Sequence, residues 1–265
     1  MLLNIDNHRV YADMIGPADG QVVCFTHSLN SDGGMWAEQI PPLLAGGYRV
    51  LRLDMRGHGG SEPVPGDYSM SALAGDVAKA LDILGVDKVH YIGLSIGGMI
   101  GQAFALEHGK RLRSSMLCDT APQTPPGSHA SWDERKGIVR KANSLAPLAE
   151  GTMDRWFTPA FKGANPGRYA QIRDTISGTT PQGFLGCASA IQNFDFVPRL
   201  GTISTPTLVV CGDQDAGTPP EGNKLIASKV PCGRYEEIKD ARHLPNVERA
   251  EAFNKIMMGW LGSKH

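Results

Sequence analysis

Short apolar runs recur along the chain at 9–14, 21–25, 48–53, 88–92, 114–118, 207–211 and 234–238. Their length, their β-branched content and their bounding turn residues predict strands. Gly16-Pro17-Ala18-Asp19-Gly20, for example, is a turn between the first two. Between the strands the spacing of apolar positions changes from two to three or four. Residues 70–84 place Leu73, Val77, Ala80, Leu81 and Leu84 on one face, and 35–44 and 96–107 also read as helices. Strands alternating with amphipathic helices predict an α/β fold with a mostly parallel central sheet covered on both faces. The alternation stops after Cys118 and resumes at Thr207. From 121 to 192 there is no convincing strand, only Pro/Gly-rich turns and helical patterns at 132–141, 151–157, 167–176 and 181–191. The expected organisation is a core of 1–120 and 193–265 with a helical lid, 121–192, over the C-terminal edge of the strands, where such sheets bind ligands.

Composition narrows the function classes. The 265 residues are 41% hydrophobic and 20% charged, with a net charge of −1, so nothing favours nucleic acid or an anionic membrane surface. No uncharged apolar run reaches spanning length, and the first residues lack the charged-then-apolar pattern of a signal peptide. The five cysteines, Cys24, Cys118, Cys187, Cys211 and Cys232, form no CxxC pair. Such an odd, scattered set suggests a reducing, cytoplasmic setting. His8, His90, His108, His129 and His265 are scattered, without HxH or HExxH spacing, so neither a metal site nor a cofactor is expected.

Candidate chemistry lies at strand ends. Gly93-Leu94-Ser95-Ile96-Gly97 fits G-x-S-x-G, with a strand entering and a helix leaving. That context makes Ser95 an exposed nucleophile on a tight turn. A serine hydroxyl needs a base, and the base needs an acid to orient it. His243, after the 234–238 strand, is the candidate base. Asp213 and Asp215 both follow the 207–211 strand; Asp213 fits better as a brace for its own loop, and Asp215 as the acid. Asp119, at the end of the 114–118 strand, is a further acid candidate whose ordinary role is to cap a turn. Oxyanion donors are expected from the backbone N–H of Ile96 and, in the loop after 21–25, of Leu29. His27 and His58 read as loop organisers.

With these residues in hand, the chain resembles the α/β-hydrolase superfamily of esterases and lactonases, and within it the 3-oxoadipate enol-lactonases. The resemblance rests on Ser28-Leu29, Met35-Trp36, Arg56-Gly57-His58-Gly59, the Gly93–Gly98 elbow, Trp156-Phe157-Thr158-Pro159-Ala160-Phe161, and Arg242-His243-Leu244 with Asn246 and Glu248. The oxyanion loop departs from that family's usual Asn-Ser-Leu-Gly, reading His27-Ser28-Leu29-Asn30. The resemblance implies hydrolysis of a small ester or lactone through an acyl-enzyme. It also implies an arginine for a substrate carboxylate, with Arg135 and Arg155 as candidates. Bulky lid residues, among them Trp132 and Trp156, predict a small apolar-walled pocket. Substrate contacts are therefore expected from Trp132, Arg135 and Trp156. A general carboxylesterase and a serine-dependent C–C hydrolase of ring-fission products share the same triad and remain alternatives, as does a ligand-binding receptor that has lost turnover.

Overall fold

The computed structural model of the chain describes residues 1–263; His265 lies outside them. Eight strands form one sheet: β1 (Leu2–Ile5), β2 (His8–Ile15), β3 (Val22–Thr26), β4 (Arg49–Leu53), β5 (Val89–Leu94), β6 (Leu112–Cys118), β7 (Thr207–Gly212) and β8 (Gly233–Ile238). Their spatial order is β1-β2-β4-β3-β5-β6-β7-β8. Every pairing from β4 to β8 is parallel, and β1–β2 and β2–β4 are antiparallel. β3, β5 and β7 are buried along their whole length. Being covered on both faces explains their continuous apolar runs. The helix Met70–Ile83 turns Leu73, Val77, Ala80 and Leu81 into the core. Ser69 starts it by accepting from Ala72 N at 3.1 Å.

The sequence pattern misses β1. It is a four-residue edge strand whose Leu3 and Ile5 are buried, too short to carry a periodic signal. The helix expected over 35–44 is two pieces, a 3-10 segment Gly33–Gln39 and an α-helix Ile40–Ala45. Pro41 and Pro42 cannot donate hydrogen bonds to the preceding turn, so the α-helix begins there. Helices Pro220–Lys229 and Ala250–Leu261 also lie outside the helical patterns read from sequence.

Between β6 and β7 run the helices His129–Ala142, Ala149–Trp156, Pro159–Ala164, Pro166–Gly178 and Pro181–Gln192. The helix Pro159–Ala164 is additional to the four read from sequence. Thr158 and Thr180, each followed by proline, cap two of these helices by accepting from Phe161 N and Gly183 N. The segment leaves and rejoins the core side by side. Thr124 N donates to Phe194 O, and Phe196 N to Pro122 O, both at 2.9 Å. It is also moored at its far end, where Thr180 N donates to Gly57 O at 2.9 Å.

Candidate active site

β5 ends at Leu94, and Ser95, with φ 60 and ψ −119, stands between it and the helix Ile96–His108. A positive φ is costly for serine, and the surroundings hold it there. Ser95 N donates to Cys118 O at 2.9 Å, and Thr120 Oγ1 donates to Ser95 O at 2.7 Å. Glycine at 97 is required by close packing: a Cβ there would sit 2.5 Å from the Thr26 carbonyl oxygen. The turn thus presses strand, helix and the end of β3 together and leaves the Ser95 side chain at the tip.

Asp215, past the end of β7, is buried at 3% exposure. Its Oδ1 accepts from Gly217 N at 2.8 Å, and its Oδ2 from Thr218 Oγ1 at 2.6 Å. Oδ2 also lies 2.8 Å from His243 Nδ1. Burial alone would raise this carboxyl. The His243 charge, with hydrogen bonds from His243, Thr218 and Gly217, outweighs burial and holds it below the ordinary carboxylate value. Asp213 faces elsewhere, accepting from Ala241 N at 3.4 Å with Lys239 Nζ 3.7 Å away.

Asp119 lies close to Asp215 without touching His243. Its Oδ1 accepts from Gly212 N at 2.9 Å, and its buried Oδ2 accepts no hydrogen bond from the described residues. Burial first, and the Asp215 charge second, push its pKa well above the ordinary value. As pH rises from the ordinary value of 3.8 toward the raised folded value, the unfolded chain releases this proton before the folded chain does, so stability falls across that window. Asp119→Asn should therefore raise Tm at pH 7 and change it little at pH 4. An equal shift at both pH values, read by thermal denaturation, would contradict a raised Asp119.

Asp119, Cys211 and Asp215 are the one group of potential metal ligands among the described residues, with ligand atoms within 4.8 Å of one another. The donor chemistry does not suit a metal. Asp215 Oδ2 is already engaged by Thr218 and His243.

Ser95 and His243 open onto one cavity of about 390 Å³. Its walls include Leu29, Met99, Ile191, Trp132 and Trp156, with Arg135, Arg155, Ser128 and Thr152 as polar points. Of the residues expected from sequence, Ser95, His243, Leu29, Trp132, Arg135 and Trp156 border this space. Asp215 stands behind His243. The Ile96 side chain is fully buried and does not border the cavity. As first residue of its helix, however, Ile96 has an N–H without an acceptor inside the helix. The Leu29 N–H donates to no protein acceptor among the described residues.

The Arg135 guanidinium lies 4.2 Å from the Trp132 ring centroid, and its Nε has no hydrogen-bond partner among the described residues. Burial and the neighbouring Arg155 bring its pKa down to about 10. Arg155 is exposed overall and donates from Nη2 to Thr152 Oγ1 at 3.2 Å. His27 bridges two loops, bonding Ser28 O through Nδ1 at 2.8 Å and accepting Met55 N at Nε2 at 2.9 Å.

Sequence reasoning missed Thr218, Thr120, Asn223 and Asn30. Asn223 Oδ1 accepts Thr120 N at 3.0 Å and so braces the elbow from behind. Asn30, at φ 67, borders the cavity, and its buried Oδ1 has no partner among the described residues. A Thr three residues after a loop Asp was the available signal for Thr218; the others had no local one.

A family described as alpha/beta hydrolase fold matches residues 21–250. A 3-oxoadipate enol-lactonase of Acinetobacter baylyi is 30% identical over 263 residues, covering 99% of this chain and 97% of its own. The solved enol-lactonase from Burkholderia xenovorans superposes with a TM-score of 0.94 at 32% identity, covering 99% of this chain and 100% of its own. A thermophilic esterase from Thermogutta terrifontis superposes with a TM-score of 0.88 at 30% identity, covering 96% and 93%.

Proposed function

The chain belongs to the α/β-hydrolase fold family, and from that premise we propose that it is a serine hydrolase of small carboxylic esters or lactones, preferring those that carry a carboxylate. The reading rests on one observation above all. The Asp215–His243 pair, joined at 2.8 Å, opens onto the same cavity as the Ser95 elbow.

Ser95 attacks the substrate carbonyl while His243 takes its proton. The N–H groups of Ile96 and Leu29 receive the oxyanion. His243 then protonates the leaving oxygen, which in a lactone stays tethered to the acyl chain. Water activated by His243 releases the acid. Asp215 orients the imidazole and stabilises its charged form. The similarity to enol-lactonases favours a lactone as substrate, and the similarity to an esterase favours ester chemistry of the same kind. Residues 121–192 serve in this reading as a lid over the site.

The preference for a carboxylate comes from the arginines. A guanidinium held against apolar walls without a carboxylate partner is unfavourable. An anionic substrate supplies that partner, with a charge-assisted hydrogen bond. Arg135, the more buried of the two, carries most of this effect. Arg135→Ala should raise KM for a carboxylated five-membered lactone about 10-fold or more. KM for p-nitrophenyl acetate should stay unchanged. Equal kinetics on the charged lactone in wild type and variant would remove the carboxylate from the proposal and leave a general carboxylesterase.

A further inference from the structure

Two sequence stretches, Trp156-Phe157-Thr158-Pro159 and Arg242-His243-Leu244 with Glu248, are joined in space by bonds that the reaction above does not use. Glu248 ends the short helix Pro245–Glu248 and is buried. Its Oε1 accepts from Thr158 N at 2.8 Å and from Thr158 Oγ1. Its Oε2 accepts from Arg242 N at 2.9 Å. The Arg242 side chain crosses the same junction, its Nη1 donating to Phe157 O at 3.1 Å. On the other side of the histidine, Leu244 N donates to Trp156 O at 3.3 Å.

Both backbone neighbours of His243 are therefore tied to one short stretch, 156–158. The Trp156 ring also lies over the imidazole, with centroids 6.4 Å apart and planes 26° from parallel. Asp215, by contrast, holds the ring at Nδ1 alone. The helix bearing Glu248 is itself pinned to the core. Asn246 Nδ2 donates to Met35 O, and Gln39 Nε2 to Asn246 O, each at 2.9 Å.

We infer that Glu248 is a positioning residue for the base: it clamps the His243 loop to 156–158, so that the imidazole and the Trp156 wall of the cavity form one rigid unit. The inference rests on the serine-hydrolase reading and adds a residue to it. A glutamate serving merely to start the helix Pro159–Ala164 would need Thr158 alone. The bond to Arg242 N does nothing for that helix and acts on the residue before His243. A buried carboxylate is tolerated when its oxygens are filled in this way. Glutamine keeps the shape but must set its NH₂ group against either Arg242 N or the Thr158 donors, so the clamp loosens.

The test follows covalent labelling of Ser95 by a fluorophosphonate probe together with p-nitrophenyl acetate kinetics, both per folded molecule. Glu248→Gln should lower the labelling rate and kcat roughly 10-fold or more, since small misplacements of a catalytic group are costly. KM should stay within about threefold, because the walls formed by Leu29, Met99, Trp132 and Ile191 do not rest on the clamp. Thr158→Val should lower labelling in the same direction, and Thr158→Ser should restore it. Should Glu248→Gln fail to fold, the Thr158 pair decides, and equal labelling of both would overturn the inference. Wild-type labelling by a folded Glu248→Gln would overturn it as well. A wild-type chain that takes no label would remove the serine-hydrolase reading itself, a result distinct from loss of the Glu248 role alone.

Discussion

Ser95→Ala is expected to lower kcat for a small ester by roughly 10³-fold or more, with the fold preserved. The contacts that hold the elbow use backbone atoms of residue 95: its N–H on Cys118 O and its carbonyl under Thr120 Oγ1 and Met99 N. Alanine keeps all three. It also adopts the positive φ at no greater cost than serine, so the thermal transition should stay near that of the wild type. What disappears is the oxygen that attacks and the proton that His243 receives. The residual rate should reflect the Ile96 and Leu29 N–H groups and substrate binding alone. Ester hydrolysis by the variant at close to the wild-type rate, in protein that melts normally, would remove Ser95 as nucleophile.

Asp215→Asn is expected to cost about 10²–10⁴ in kcat, whereas Asp213→Asn should fall within a few-fold of wild type. At Asp215 the oxygen that faces His243 Nδ1 accepts from the imidazole and from Thr218 Oγ1. An asparagine NH₂ in that place turns an acceptor into a donor. His243 then carries its proton on Nε2, the nitrogen that must be free to take the serine proton. If the amide flips instead, the NH₂ group meets Gly217 N and Thr218 N, which donate to Oδ1. Either arrangement disrupts the base. Asp213 has no such partner; its oxygens serve Ala241 N and Lys239. Steady-state kinetics of the two variants on one ester distinguish the roles, and the reverse ranking would move the acid to Asp213.

Much of this site could be read from the chain because its parts lie at strand ends. In a parallel sheet all such ends fall on one edge. Glycines around a serine between a strand and a helix mark Ser95, and the loops after β7 and β8 must then bring Asp215 and His243 to it. Arg135 and Trp132 share one helix three residues apart, so their common face could be foreseen. What stayed hidden depends on contacts distant in sequence. Thr158 and Glu248 are 90 positions apart, and Thr120 and Asn223 are 103 apart; neither pair leaves a local pattern. β1 is held by pairing with β2, not by its own propensity. The break in the helix expected over 35–44 did have a signal, Pro41-Pro42, which apolar spacing alone ignores.

The central claim is a covalent acyl-enzyme on Ser95, and mass spectrometry of rapidly quenched enzyme reads it directly. Wild-type and Ser95→Ala protein would be mixed with a slowly deacylating p-nitrophenyl ester, stopped in acid and digested. The account predicts one acyl adduct, confined to the peptide that contains Ser95, formed with the burst of p-nitrophenol and missing from the alanine variant. Turnover without any adduct, or an adduct on another residue that persists in Ser95→Ala, would contradict it.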